Sequence, residues 1–233
     1  MTLQELTRYT LADQAAESIL AYIYEHELKP GEILPSAAVL ASQLGVSRPV
    51  IREALKTLEG QNTIEIINGK GAVIRPVGSQ DLNTFFQRAL GFDRKAIGEL
   101  LEVRQGLEVQ AARLTAQRRT EEDLEMMAQV LERMHSHYHN VEAYTADDLT
   151  FHVSIAAATG NAMMVHLVES LRDATWESMH RWHCQQRTTE EYTQVQRMHE
   201  RIFEAIKAGN PEAAAQAMSS HFNKAIFDLN HSD

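Results

Sequence analysis

One cysteine, Cys184, among 233 residues excludes an internal disulfide and supplies none of the paired thiols of a zinc ribbon. A structural role is expected for it, in a reducing compartment. The chain lacks any apolar run near the roughly 18 residues of a membrane span, and its start lacks the basic-then-apolar pattern of a secretory leader. No membrane partner is therefore expected, and the cytoplasm is the expected location. Basic residues are also scarce: 22 Lys and Arg stand against 32 Asp and Glu, a formal net charge of −10. Taken as a sum, that argues against phosphate contacts, which need Lys and Arg. Disorder is excluded by composition, since 44% hydrophobic and 23% charged residues are ordinary globular values.

Distribution changes the meaning of the charge. Up to Arg75 there are seven basic and nine acidic residues, so most of the acidity lies further on. Between Ser47 and Arg75 the balance reverses, with Arg48, Arg52, Lys56, Lys70 and Arg75 against three acidic residues. This segment is the one phosphate-facing patch the sequence offers. The length favours two domains, and Arg75-Pro76-Val77-Gly78-Ser79 is the natural break. The expected division is a domain over 1–75, a linker over 76–80 and a domain over 81–233.

Helical spacing of Leu11, Ala15, Ile19, Tyr22 and Ile23 predicts a first helix, stopped before Lys29-Pro30-Gly31. A short helix from Ser36 to Leu44 ends at Gly45, which takes a left-handed cap easily. Ser47 then stands where it can cap a third helix, with Pro49 tolerated in the first turn and Val50, Ile51, Ala54, Leu55 and Leu58 inward. Two short helices across a tight turn make a helix-turn-helix. Thr63–Ile67 and Ala72–Ile74, separated by Asn68-Gly69-Lys70-Gly71, predict a hairpin. Beyond Asp81 only helical periods occur, punctuated by Thr120 with Asp123, by Gly160-Asn161 and by Gly209-Asn210-Pro211. Six or seven helices are expected there, near 81–91, 94–117, 120–139, 141–158, 161–183, 189–208 and 211–230. The predicted fold class is mainly α: a winged helix-turn-helix followed by an all-α antiparallel helical bundle.

The stretch Leu34-Pro35-Ser36 to Ala41 and then Leu44-Gly45-Val46-Ser47-Arg48-Pro49-Val50-Ile51-Arg52-Glu53-Ala54-Leu55 resembles the winged helix-turn-helix of the GntR family of transcription regulators. The resemblance covers most of residues 11–75. It implies that Arg48 and Arg52 contact bases or phosphates, that Ser47 bonds a phosphate, and that Asn68, Gly69 and Lys70 form a wing tip. Spacing alone adds that Arg48 and Arg52 lie one turn apart on the edge opposite the apolar side, where arginine can fork onto guanine. One departure concerns operator identity: Ala37 and Ala38 stand where the family commonly has a charged pair.

In the second half, groups with metal-ligand chemistry fall on inward stripes. Asp148 and His152 share a helix face with Tyr144, Phe151 and Ile155, where a carboxylate needs a partner. His199 lies in the stripe Tyr192, Val195, Ile202, Phe203, Ile206, and His221 lies between Met218 and Ala225. One divalent ion would satisfy all four groups. The set resembles the metal site of the FCD-type effector domain of the FadR subgroup, over roughly Asp81–Leu229. Glu102-Val103-Arg104 and Leu107-Glu108 through Leu114 resemble that domain's first long helix. Zinc is the first expectation, with nickel or manganese as alternatives.

Arg104 also sits on an apolar stripe, where it stands either to pair with Glu108 one turn away or to hold, with the metal, a ligand carboxylate. His135, His137 and His139 are expected to end a helix in solvent, while Trp176, His180 and Arg181 are candidates for a pocket lining. The expected protein is not an enzyme. It is a repressor that binds operator DNA as a homodimer and answers a small organic or sugar acid. Two other readings remain open: the ion is itself the signal, or the site activates water as hydrolytic zinc does.

Overall fold

The computed structural model describes residues 9–76, 78, 80–90, 94–183 and 189–231. The chain divides into two compact units, Met1–Gly78 and Ser79–Asp233. The side chains of His180 and Arg181, and all of Cys184, lie outside the described residues.

The first unit contains α1 (Leu11–Glu25), α2 (Ala37–Leu44), α3 (Arg48–Gly60), β1 (Ile64–Ile67) and β2 (Gly71–Ile74). Thr10 caps α1 through a reciprocal box with Asp13, which satisfies amides that the first turn leaves without partners. Ile19, Ile51, Leu58 and Ile64 are the largest of its fully buried side chains, so the three helices and the hairpin close on one small core. Gly45 ends α2 at φ 65, as its position in the turn predicts. The hairpin is antiparallel, with Ile67 facing Gly71 and Ile64 facing Ile74. Its loop is thus Asn68, Gly69 and Lys70, and Gly69 and Gly71 both take positive φ, which a side chain would resist. A third pairing escaped the sequence reading. Ile33 bridges to Val73, and the amides of Leu34 and Ile74 donate to Ala72 and Glu32 at 2.8 Å. One bridge has no length in which to show a period of two.

The second unit holds α4 (Gln80–Leu90), α5 (Arg94–Arg118), α6 (Glu121–Ser136), α7 (Val141–Ala158), α8 (Ala162–His183), α9 (Thr189–Lys207) and α10 (Pro211–His231). Thr120 and Asp123 form the capping box of α6. That helix ends at Ser136, three residues before its predicted end, because His137 takes the C-cap position and Asn140 caps α7. At the other end of the bundle, the Asn210 side chain accepts from the Ala213 amide ahead of Pro211. The core includes Met127, Met134, Phe151, Ile155, Ile202, Ile206, Met218 and Phe222, all essentially solvent-free. Polar ties fix the helices around it. Thr115 on α5 donates to the Ile155 carbonyl on α7 at 2.6 Å, Gln105 on α5 to Asn223 on α10 at 2.8 Å, and Gln196 on α9 to the Leu131 carbonyl on α6 at 3.1 Å. Among the described residues no helix is long and apolar enough to cross a membrane.

Candidate functional sites

In the first unit α3 turns Ile51, Ala54, Leu55 and Leu58 inward and leaves Arg48, Pro49, Arg52 and Lys56 exposed. Arg48, Arg52 and Lys56 recur at every fourth residue, which aligns three cations along one edge. Ser47 sits at the N-cap of α3 in extended backbone, yet its side chain makes no capping hydrogen bond. The capping role expected from the sequence is therefore not made, and the exposed hydroxyl lies at a helix N-terminus suited to an anion. Asn68, Gly69 and Lys70 are exposed at the hairpin tip. Glu59, near the end of α3, accepts from the Ile66 amide at 2.9 Å and so ties the wing to the helix, a link the sequence reading missed. Arg75 departs from the expected patch: it donates to Asn62 at 3.0 Å and is half-buried.

In the second unit α5, α7, α9 and α10 bring the remaining candidates together. Nitrogens of His152, His199 and His221 all lie within 4.8 Å of one another, and the rings of His199 and His221 are centred 4.5 Å apart. Asp148 faces His199, with Oδ1 3.1 Å from Nε2. Glu108 is 2% exposed and uses both oxygens: Oε2 meets His152 Nδ1, and Oε1 accepts from Arg104 Nε at 2.8 Å. The Arg104–Glu108 pair anticipated from the sequence is thus formed, and Arg104 also stands 5.3 Å over the Phe222 ring. His221 keeps some exposed surface, but its Nδ1 is buried and has no hydrogen-bond partner among the described residues.

Charge follows from this layout. Burial opposes ionisation of Glu108 and Asp148, yet Arg104 and His152 hold the first carboxyl below its usual range, and His199 holds the second lower still. Burial acts to lower His152, but Glu108 outweighs it and raises that imidazole; His221 is pushed well down by burial and by the neighbouring histidines. The cluster therefore presents ionised carboxylates and, at His221, a neutral ring.

A cavity of about 30 Å³ opens beside these groups, lined by Arg104, Asp148, His152 and His221 and, further out, by Tyr144, Thr145, Tyr192, Lys224 and Asp228. The last five were not singled out from the sequence as a lining. Trp176 is half-buried and is absent from that lining. His137 is not merely solvated: its Nδ1 lies 2.7 Å from Asp147, which also accepts from Arg133 at 2.9 Å. His135 pairs instead with Tyr138 at 3.1 Å.

Comparison with known proteins agrees with both units. Residues 11–74 match the bacterial regulatory proteins of the gntR family, and residues 99–224 match the FCD domain. The HTH-type transcriptional regulator LutR of Bacillus subtilis is 34% identical over 84% of this chain and 90% of its own. The Glc operon transcriptional activator of Escherichia coli is 28% identical over 92% and 87%. Among solved structures, Streptococcus agalactiae GntR superposes with a TM-score of 0.71 at 27% identity, over 93% of this chain and 99% of that one. These relatives carry the names of regulators, not of enzymes. The chain belongs to the GntR family of bacterial regulatory proteins, as a DNA-binding transcriptional regulator whose second unit is an FCD domain.

Proposed function

We propose that the protein is a cytoplasmic homodimeric repressor that releases its operator when a small carboxylate occupies a metal-containing site in the FCD domain. The observation that carries this reading is the buried cluster of three histidines and Asp148. Asp148, His152, His199 and His221 are the ligands, and zinc is the first choice, with nickel or manganese as alternatives.

The donor set fits an ion. Zinc–nitrogen bonds are about 2.0–2.1 Å, so two ligands on one ion are at most about 4.2 Å apart, and nitrogens within 4.8 Å need only a small ring tilt. The 3.1 Å between Asp148 and His199 already suits neighbouring ligands. The buried His221 Nδ1 has no partner among the described residues, which is costly unless something is bound. Glu108 holds His152 by Nδ1, which turns Nε2 outward as a donor, the usual arrangement of a carboxylate behind a ligating histidine. Bound here with positions left open, such an ion supplies a Lewis-acid site for a carboxylate oxygen. Arg104 lines the same cavity, and its two-pronged donor set orients that carboxylate.

At the other end of the chain Arg48 and Arg52 read base edges or phosphates, Ser47 and Pro49 seat the start of α3 against the backbone, and Asn68, Gly69 and Lys70 enter the minor groove. Dimerisation follows from the need of one small reading head for a palindromic site. The test is operator binding at fixed salt with and without a panel of organic and sugar acids, on zinc-loaded and chelated protein. A tenfold or larger change with one acid supports the sensor. Response to chelation alone, with every acid inert, would make the ion the signal.

A further inference from the structure

We infer that Lys224 and Asp228 are specificity-determining residues of the effector cavity: together they read a hydroxyl on the ligand's tail and refuse a second carboxylate. The inference rests on the proposed reading that Arg104 and the histidine cluster take the ligand's carboxylate.

The cavity has two layers. His221, Phe222, Lys224, Ala225 and Asp228 all line it, so one face of α10 runs along its wall. Lys224 lies three residues past His221, and the 1.5 Å rise places it about 5 Å along the axis, with Asp228 about 10 Å along. The other helices agree. On α7, Tyr144 and Thr145 precede Asp148 by one turn, and on α9, Tyr192 and Val195 precede His199 by two turns and one. Since α9 returns into α10 through the turn at 208–210, backward along α9 and forward along α10 are the same direction. The histidines therefore form an inner layer and the tyrosines with Lys224 and Asp228 an outer one.

Among the described residues, two full charges stand in that outer layer. Lys224 Nζ is in ion-pair contact with Asp228, and the two side chains are only 27% and 34% exposed. Charge counting defines what they accept. With the three histidines neutral, as ligands of an ion must be, Arg104, Glu108 and Asp148 with a divalent ion leave one net positive charge, which a single carboxylate neutralises, whereas Lys224 and Asp228 sum to zero. A hydroxyl both donates and accepts, so it can give its proton to Asp228 while taking one from Lys224. A second carboxylate only accepts; it would compete for Lys224 and stand against Asp228, and like charges there are unfavourable. A methyl group would cover part of the pair's exposed surface and offer neither ion a hydrogen bond. One turn of separation, about 5 Å, is the span of a four-carbon acid; the cavity of about 30 Å³ holds only about one water, so the ligand's tail lies in the open mouth, where Lys224 and Asp228 are 27% and 34% exposed.

The experiment is calorimetric titration of the full-length, zinc-loaded protein with three four-carbon acids that differ only at the fourth carbon: 4-hydroxybutanoate, succinate and butanoate. 4-Hydroxybutanoate is expected to bind at least tenfold more tightly than either of the others. In Asp228→Asn, which removes the repelling charge, succinate is expected to gain at least fivefold on 4-hydroxybutanoate, and in Lys224→Met 4-hydroxybutanoate should lose its advantage over butanoate. Thermal melts confirm that the variants fold. Equal binding of the three acids, abolished by Arg104→Ala, would overturn this inference alone and reduce the pair to an ordinary helix-surface ion pair. A succinate-to-4-hydroxybutanoate ratio unmoved within twofold by Asp228→Asn would do the same. If none of the three binds, the carboxylate-capturing site falls with it.

Discussion

Replacing Glu108 by glutamine keeps the shape of the side chain and removes one charge from the centre of the FCD domain. The carboxylate is 2% exposed and serves Arg104 and His152 together, and Arg104 itself is 3% exposed. Breaking a buried pair from one side costs about 3–5 kcal/mol, because the remaining charge is stranded. The lower end applies here, since an amide oxygen still accepts one hydrogen bond and Phe222 offers Arg104 its ring face. In a unit of this size each kcal/mol moves the midpoint by about 2–4 °C, so a loss of about 6–12 °C is expected. Two units make the whole chain unsuited to a single two-state fit. Differential scanning calorimetry of chelated protein should therefore follow the transition of the second unit, with that of the first unit left in place.

The same variant reports on the proposed ion. A carboxylate behind a ligating histidine typically contributes 10- to 100-fold in metal affinity, about 1.4–2.7 kcal/mol, and competition with a chromophoric chelator measures that loss. A carboxylate ligand should also raise the midpoint more in Glu108→Gln than in the parent, because it returns a counter-charge to Arg104. If the second transition falls by less than about 2 °C, Arg104 is not stranded, and the view of Glu108 as the shared acceptor of the site is wrong.

Arg52→Ala should weaken operator binding by about 1–3 kcal/mol if Arg52 reads a base, whereas Arg75→Ala should leave the salt dependence of binding unchanged, because Arg75 is held by Asn62; fluorescence anisotropy across a salt series separates the two. His221→Ala and His199→Ala should each lower the metal content of purified protein to well under one ion per chain by elemental analysis. A stoichiometry unaffected by either variant would remove the site as drawn. The metal-free second unit should lose stability on acidification below about pH 6.5. His221, whose folded value is depressed, takes up its proton only on unfolding, and Asp148 and Glu108 act with the same sign at lower pH. His152 acts oppositely: its raised value contributes stability below pH 6.5 that is lost as pH climbs through the folded value. Urea melts should therefore show a maximum just above pH 6.5, and a stability that rises steadily toward pH 5 would contradict it.

What was legible in the sequence is what repeats or punctuates. Stripes such as Ile51-Leu55-Leu58 and Ile202-Ile206 mark buried helix faces, and Thr120-Asp123, Gly45 and Pro211 mark ends, so the elements of both units fall within a few residues of expectation. Asp148, His152, His199 and His221 were readable for the same reason: each is a polar group on a stripe that should be apolar, and such a group needs a partner. The partners themselves were not all readable. Glu108 was seen beside Arg104, one turn away on the same helix, but its bond to His152 crosses from α5 to α7 and leaves no mark of spacing. Lys224 and Asp228 look like any i,i+4 pair on a helix surface; only the cavity wall beside His221 gives them another meaning. The Glu59–Ile66 tie, the Ile33 bridge and the inward turn of Arg75 are likewise matters of tertiary approach. Local period thus locates the groups that cannot be buried alone, whereas the identity of their partners depends on how helices distant in sequence pack. For that reason the discriminating experiments lie at Glu108 and Asp228, whose roles depend on neighbours from other turns and other helices, more than at the histidines.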